Sequence, residues 1–134
     1  MVLDNDTFNK PNLTYVGEVA FAGGVSIKTN AENAIPIIPF SASIEQIGMH
    51  AFNALKVSPT NSNVTIQFGD ETRPSALTFI GLTNDGNGPF ASPPITDILV
   101  YGSVSEDVVN RLRSPASNPG VGTESNPSIN VSTN

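Results

Sequence analysis

Residues 49–102 break into short apolar runs separated by turn formers, and that spacing limits the chain to strands of a few residues. Ala51-Phe52-Asn53-Ala54-Leu55-Lys56-Val57 is followed by Ser58-Pro59-Thr60-Asn61-Ser62-Asn63. Val64-Thr65-Ile66-Gln67-Phe68, Ala76-Leu77-Thr78-Phe79-Ile80-Gly81-Leu82 and Ile95-Thr96-Asp97-Ile98-Leu99-Val100-Tyr101-Gly102 come next. Upstream, Tyr15, Gly17, Val19 and Phe21 alternate with Val16, Glu18 and Ala20. Gly23-Gly24 then signals a hairpin into Val25-Ser26-Ile27-Lys28. Ile35-Pro36-Ile37-Ile38-Pro39-Phe40 is apolar, but two prolines remove ladder donors, so it is expected as an edge strand or as an extended segment pressed onto the core. Residues 43–55 fit either period. Gly48 weakens a helix there, which favours a turn over 44–48 and a strand from Met49.

One helix is expected, over 105–113. Ser105 can cap it, Glu106 and Asp107 lie in its first turn, and Arg111 and Arg113 in its last. Val108, Val109 and Leu112 give it an apolar stripe, and Pro115 lies just past its end. No internal repeat stands out. The expected fold is therefore all-β: a small antiparallel β-sandwich or barrel over residues 13–113, with this helix near the C-terminus. Extended arms at 1–12 and 114–134 flank it. At 134 residues the chain has room for one domain. The stretch 114–134 has only Val121, Ile129 and Val131 as sizeable apolar anchors and cannot build a core of its own.

Little in the chain suggests catalysis. Charged residues are 13%, and the six Lys and Arg are scattered against twelve acids, a net charge of −6. A concentrated basic footprint for nucleic acid or an anionic membrane is missing. No apolar run approaches the roughly 18 residues of a membrane helix, and the first residues do not read as a signal peptide. Cysteine is absent, which excludes disulfides and thiolate metal sites. Four Asn-x-Ser/Thr sequons, at Asn5, Asn12, Asn63 and Asn130, read as chance in an Asn-rich chain. The single histidine, His50, reads as an ordinary strand residue without a nucleophile beside it. Asp70-Glu71 is explained by a turn and Glu106-Asp107 by the helix start. Asp85-Gly86-Asn87-Gly88 lacks the spaced oxygens and closing Glu of a calcium loop. The expectation is a non-enzyme with no cofactor and no metal.

Phe21, Phe68 and Phe79 sit in apolar strand patterns and are expected in the core. Phe8, Ile37, Phe90, Val121, Ile129 and Val131 lie in arm, edge or loop contexts and are the candidate partner contacts.

The segments Phe52-Asn53-Ala54-Leu55-Lys56-Val57, Asn63-Val64-Thr65-Ile66, Leu77-Thr78-Phe79-Ile80-Gly81-Leu82 and Pro94-Ile95-Thr96-Asp97-Ile98-Leu99-Val100-Tyr101-Gly102 resemble a pattern in small β-rich phage and gene-transfer-agent particle proteins of the head-spike-base type. After Gly102 this chain enters a helix where that family adds a strand. The resemblance implies a virion structural role, such as capsid decoration, cement or spike base. It would act on the major capsid protein or other virion subunits, as a homo-oligomer assembled in the host cytoplasm, and it brings no catalytic residues. A tail or neck component of the same particle is an alternative. Residues 95–113 are also similar to the closing segment of laminin-G-like lectin sandwiches, which need more chain before that segment. A carbohydrate-binding β-sandwich module is the rival from another class, with 7% aromatic residues and no Trp against it.

Overall fold

In the computed structural model, residues 2–18, 20–21, 25–28, 36–49, 51–52, 55–58, 63–82, 88–90, 95–113 and 129–134 are described. Ten strands and one helix lie in them. In chain order the strands are β1 (Val2–Asp4), β2 (Tyr15–Val16), β3 (Ser26–Lys28), β4 (Ile37–Phe40), β5 (Gln46–Ile47), β6 (Lys56–Ser58), β7 (Val64–Phe68), β8 (Phe79–Ile80), β9 (Ile95–Val100) and β10 (Asn130–Thr133). The helix α1 (Glu106–Arg113) falls between β9 and β10.

Every strand pairs in parallel, and none pairs with its neighbour in the chain except β10 with β9. Three sheets result, in the orders β1-β3-β6, β2-β5-β8 and β10-β9-β7-β4. From β2 to β8 the chain visits the three sheets in turn and returns to each after about 30 residues, the period of a solenoid. The expected antiparallel all-β sandwich or barrel is thereby corrected. Parallel pairing with a packed helix places the chain with α/β architectures, wound as coils. Strand periodicity reports which face is buried and carries no information about pairing sense. Gly23-Gly24, read as a hairpin turn, lies outside the described residues, and β3 pairs in parallel with β1 and β6 rather than with β2.

Coils repeat position by position. Val16, Ile47 and Ile80 face inward in successive coils, as do Leu3, Ile27 and Val57, and Ile38, Ile66 and Ile98. Six of the seven phenylalanines form two columns. Phe8 stacks on Phe40 with centroids 5.0 Å apart, and Phe40 meets Phe68 at 5.2 Å. Phe21 stacks on Phe52 at 5.5 Å and Phe52 on Phe90 at 5.1 Å. Phe52 and Phe40 join the columns edge to face at 5.3 Å. Each ring pair adds about 0.5–1.5 kcal/mol beyond its area burial. A repeat is therefore present after all: Val16-Gly17 and Ile47-Gly48 each precede a Phe by the same interval, while the third copy stretches from Ile80-Gly81 to Phe90.

The glycine of this repeat is fixed by close approach. A Cβ on Gly48 would lie 2.5 Å from the Glu18 nitrogen, and one on Gly81 2.5 Å from the Met49 nitrogen. Those same glycines donate their N–H to the preceding coil, Gly48 to the Val16 carbonyl (2.7 Å) and Gly81 to the Ile47 carbonyl (2.8 Å). A side chain there would push two coils apart and break the ladder.

The described parts of the segments expected as arms, residues 2–12 and 129–134, pack against the coils. Val2–Asp4 pairs with β3, Phe8 is buried, and the Phe8 carbonyl accepts from Ser41 N–H (2.9 Å). At the other end Ile129 is buried and β10 lies along β9 for four residues. The expected strand from Met49 gives way to the short β5, turn residues at Met49, Ala51 and Phe52, and β6. The helix forms where expected: the Ser105 Oγ accepts from the Val108 N–H (3.2 Å), and Val108 and Leu112 face the core. The Ile37–Phe40 strand is an edge strand, as its prolines require. The Pro36 and Phe40 carbonyls accept from Thr65 and Gly69, so Pro39 turns its missing N–H away from β7.

Gly48→Ala and Gly81→Ala are each expected to lower stability by about 1–3 kcal/mol, whereas Gly17→Ala, where a Cβ meets only the Tyr15 ring at 3.6 Å among the described residues, is expected to change it by less than about 0.5 kcal/mol. Urea midpoints read this, and equal effects at all three positions would contradict the close-approach account. Phe52→Ala is expected to cost about 3–5 kcal/mol, with Phe79→Ala near neutral in the same measurement.

Candidate functional site

The surface divides by where large apolar side chains remain exposed. Val2 is 71% exposed, Tyr15 56%, Ile37 46% and Phe79 47%. The first three lie on β1, β2 and β4, the strands that end each sheet on its N-terminal side. One exposed apolar residue therefore marks each sheet at the N-terminal end of the solenoid. Beside Tyr15 lies a cleft of about 240 Å3 bordered also by Phe8, Leu13, Val16, Gly17 and Phe21.

At the other end α1 closes one sheet. In the β2-β5-β8 sheet, the Val16 and Ile47 carbonyls accept from the glycine of the next coil. The Ile80 carbonyl accepts instead from Arg111 Nη1 of α1 at 3.1 Å. Arg111 is held by Asp107 one turn earlier (3.0 Å), and its guanidinium carbon lies 5.8 Å from the Phe79 ring centroid. The helix thus supplies the donor that another strand would have supplied.

Of the candidate contacts read from the sequence, Phe8 and Phe90 lie in the ring columns, and Ile129 is buried in the core with its N–H donating to the Arg113 carbonyl (3.3 Å). Ile37 is exposed on β4, and Val131 is half-buried on β10. Val121 lies outside the described residues, as do His50 and Asp85. Phe79, expected in the core, faces outward because β8 presents Ile80 to the interior. Tyr15 was missed. Its position beside Val16 on a strand with one buried face was the available signal.

Two further clefts carry polar groups that the fold already uses. One of about 380 Å3 is bordered by Ser41, Ser43, Thr72 and Arg73. Ser43 Oγ donates to the Leu13 carbonyl (2.6 Å) and shares a hydrogen bond with Ser41 Oγ (2.7 Å). The other, about 420 Å3, is bordered by Asp70, Glu71, Pro74, Tyr101, Gly102 and Asn134. Asp70 closes a turn there, accepting from Thr72 Oγ1 (2.7 Å), Thr72 N–H (2.9 Å), Arg73 N–H (2.9 Å) and Arg73 Nη2 (2.8 Å). The Thr72 hydroxyl foremost, then the Arg73 side chain, hold its carboxyl well below the usual carboxylate range. Among the described residues no group of three His, Cys, Asp or Glu side chains is placed to hold a metal ion, and no described helix is long and apolar enough to cross a membrane. Comparison with protein-family models, with curated proteins and with solved structures gives no match for this chain.

Because the folded state favours ionised Asp70, the turn keeps its contribution above the ordinary value of 3.8 and loses it only in stronger acid. The Asp70 carboxyl carbon resonance is expected to titrate with a midpoint below 3.8, moving up toward that value in Thr72→Val. A midpoint at or above 3.8 in the unmodified protein would contradict the turn geometry.

Proposed function

We propose that this protein is a non-enzymatic structural subunit that binds neighbouring protein subunits of a larger particle. The particle is a tailed-phage virion, with the protein acting as a capsid decoration, cement or head-spike-base component; a tail or neck position is the alternative within the same particle. The observation that supports a binding role is the gathering of Val2, Tyr15 and Ile37 on the three N-terminal edge strands. Solenoids ordinarily finish in a polar cap, as α1 does here, and edge strands with exposed apolar groups serve as pairing templates. The virion setting rests on the strand-and-turn pattern of residues 52–102. Contact through free arms is replaced in this reading by contact through the coil end, since Ile129 and β10 are built into the core and sheet.

Tagged protein recovered from the cells that make it is expected to co-migrate with assembled particles in a density gradient. The double variant Tyr15→Ser, Ile37→Ser is expected to keep its thermal midpoint and leave the particle fraction. Recovery of the unmodified protein only as free protein would overturn the virion assignment, and unchanged co-migration of the variant would overturn the role of the coil end.

A glycan-binding role is favoured by one feature: Tyr15, Gln46 and Phe79 are in register on the outer face of one sheet. Arg111 lies over the Phe79 ring, which leaves Tyr15 as the freer platform. Titration with neutral oligosaccharides that shifted the Tyr15 and Gln46 resonances together would establish that role in place of assembly.

A further inference from the structure

Gly17 occupies the same place in its coil as Gly48 and Gly81, directly after the inward-facing residue of β2. At Gly48 and Gly81 a Cβ would collide with the backbone of the preceding coil. At Gly17 a Cβ would meet only the Tyr15 ring, at 3.6 Å, and its φ is not in the left-handed range. Nothing in the folded coils requires glycine there. What would require it is a backbone segment lying against the N-terminal end at the distance of a neighbouring coil.

The hydrogen-bonding pattern points the same way. Gln46 and Gly48 donate to the coil before them, at the Thr14 and Val16 carbonyls. The equivalent N–H groups of Tyr15 and Gly17 face the N-terminal end, where no preceding coil among the described residues accepts from them. They border the same apolar cleft as Phe8, Leu13 and Phe21. At the opposite end Arg111 already fills the corresponding acceptor, so the last coil of a second copy does not offer a free edge in this sheet.

We propose that the N-terminal end is a strand-addition site for an extended segment of a partner protein, apolar at alternate positions and flanked by Lys or Arg. This deepens the assembly reading above and rests on it. The added strand would accept from the Tyr15 and Gly17 N–H groups and lay its apolar side chains in the cleft. Charge selects the partner. The first coil carries Asp4, Asp6 and Glu18, all exposed, against Lys10 alone. Two such ends brought face to face would repel, whereas a cationic segment is attracted.

The probe is a capped peptide of alternating Val and Thr with two Lys at each end, compared with the same peptide carrying Glu at those ends. Nuclear magnetic resonance titration of the full chain is expected to give saturable binding, with the Tyr15 and Gly17 amides gaining protection from hydrogen exchange. Added salt and the Glu ends are each expected to weaken it at least tenfold. Gly17→Val, which fills the approach space, is expected to fold normally and lose binding; Ala20→Arg at an exposed neighbouring position is the second variant should Gly17→Val not fold. No binding at millimolar peptide would overturn the proposal, as would equal binding by both variants. Self-association abolished by the same substitutions would overturn it too, by making a second copy the occupant. Failure here with particle co-migration intact would leave the assembly reading standing. Peptide binding without co-migration would remove the particle and keep the site.

Discussion

Close approach between successive coils is the constraint on which the structure depends. Parallel strands in register place each inward side chain over its counterpart one coil earlier, so a column must be apolar along its whole length to be apolar anywhere. Val16, Ile47 and Ile80 satisfy this in one sheet, and Ile38, Ile66 and Ile98 in another. The corners must also let backbones pass within hydrogen-bond range, which is where Gly48 and Gly81 sit. The two phenylalanine columns then fill the interior that three short sheets enclose, with Phe40 and Phe52 locking them together.

A solenoid built this way has two chemically different ends. Each coil uses donors toward the coil before it and acceptors toward the coil after it at the glycine corner. The C-terminal end is left with an acceptor, the Ile80 carbonyl, and a cation from α1 satisfies it. The N-terminal end is left with donors, an apolar cleft and a surplus of carboxylates. Function on this reading comes from an asymmetry intrinsic to parallel winding rather than from any cluster of reactive side chains.

Local features were legible in the sequence and long-range pairing was not. Ser105, the acids and arginines around it and the Val108–Leu112 spacing identified α1, because capping and amphipathicity act within a few residues. Val64–Phe68 and Ile95–Val100 were legible as strands by alternation, and the two prolines narrowed Ile37–Phe40 to an edge strand or a pressed extended segment, of which the fold has the edge strand. Pairing sense was hidden, since alternation is identical in parallel and antiparallel strands, and Gly23-Gly24 read naturally as a hairpin. The repeat escaped notice because its third copy separates Gly81 from Phe90 by a longer stretch than Gly48 from Phe52. Phe8 and Phe90 looked like loop anchors because their partners in the columns, Phe40 and Phe52, lie 32 and 38 residues away. Of the candidate contacts, Ile37 lies at the coil end, while Tyr15 and Gly17 become visible only once coils are aligned.

Backbone proton contacts in solution test the parallel winding most directly. The account predicts nuclear Overhauser contacts from the Gly48 amide to the Val16 coil and from the Gly81 amide to the Ile47 coil, together with Ile27-to-Val57 contacts in the β3-β6 pair. Strong Hα–Hα contacts across Gly23-Gly24, the mark of an antiparallel hairpin, would contradict it.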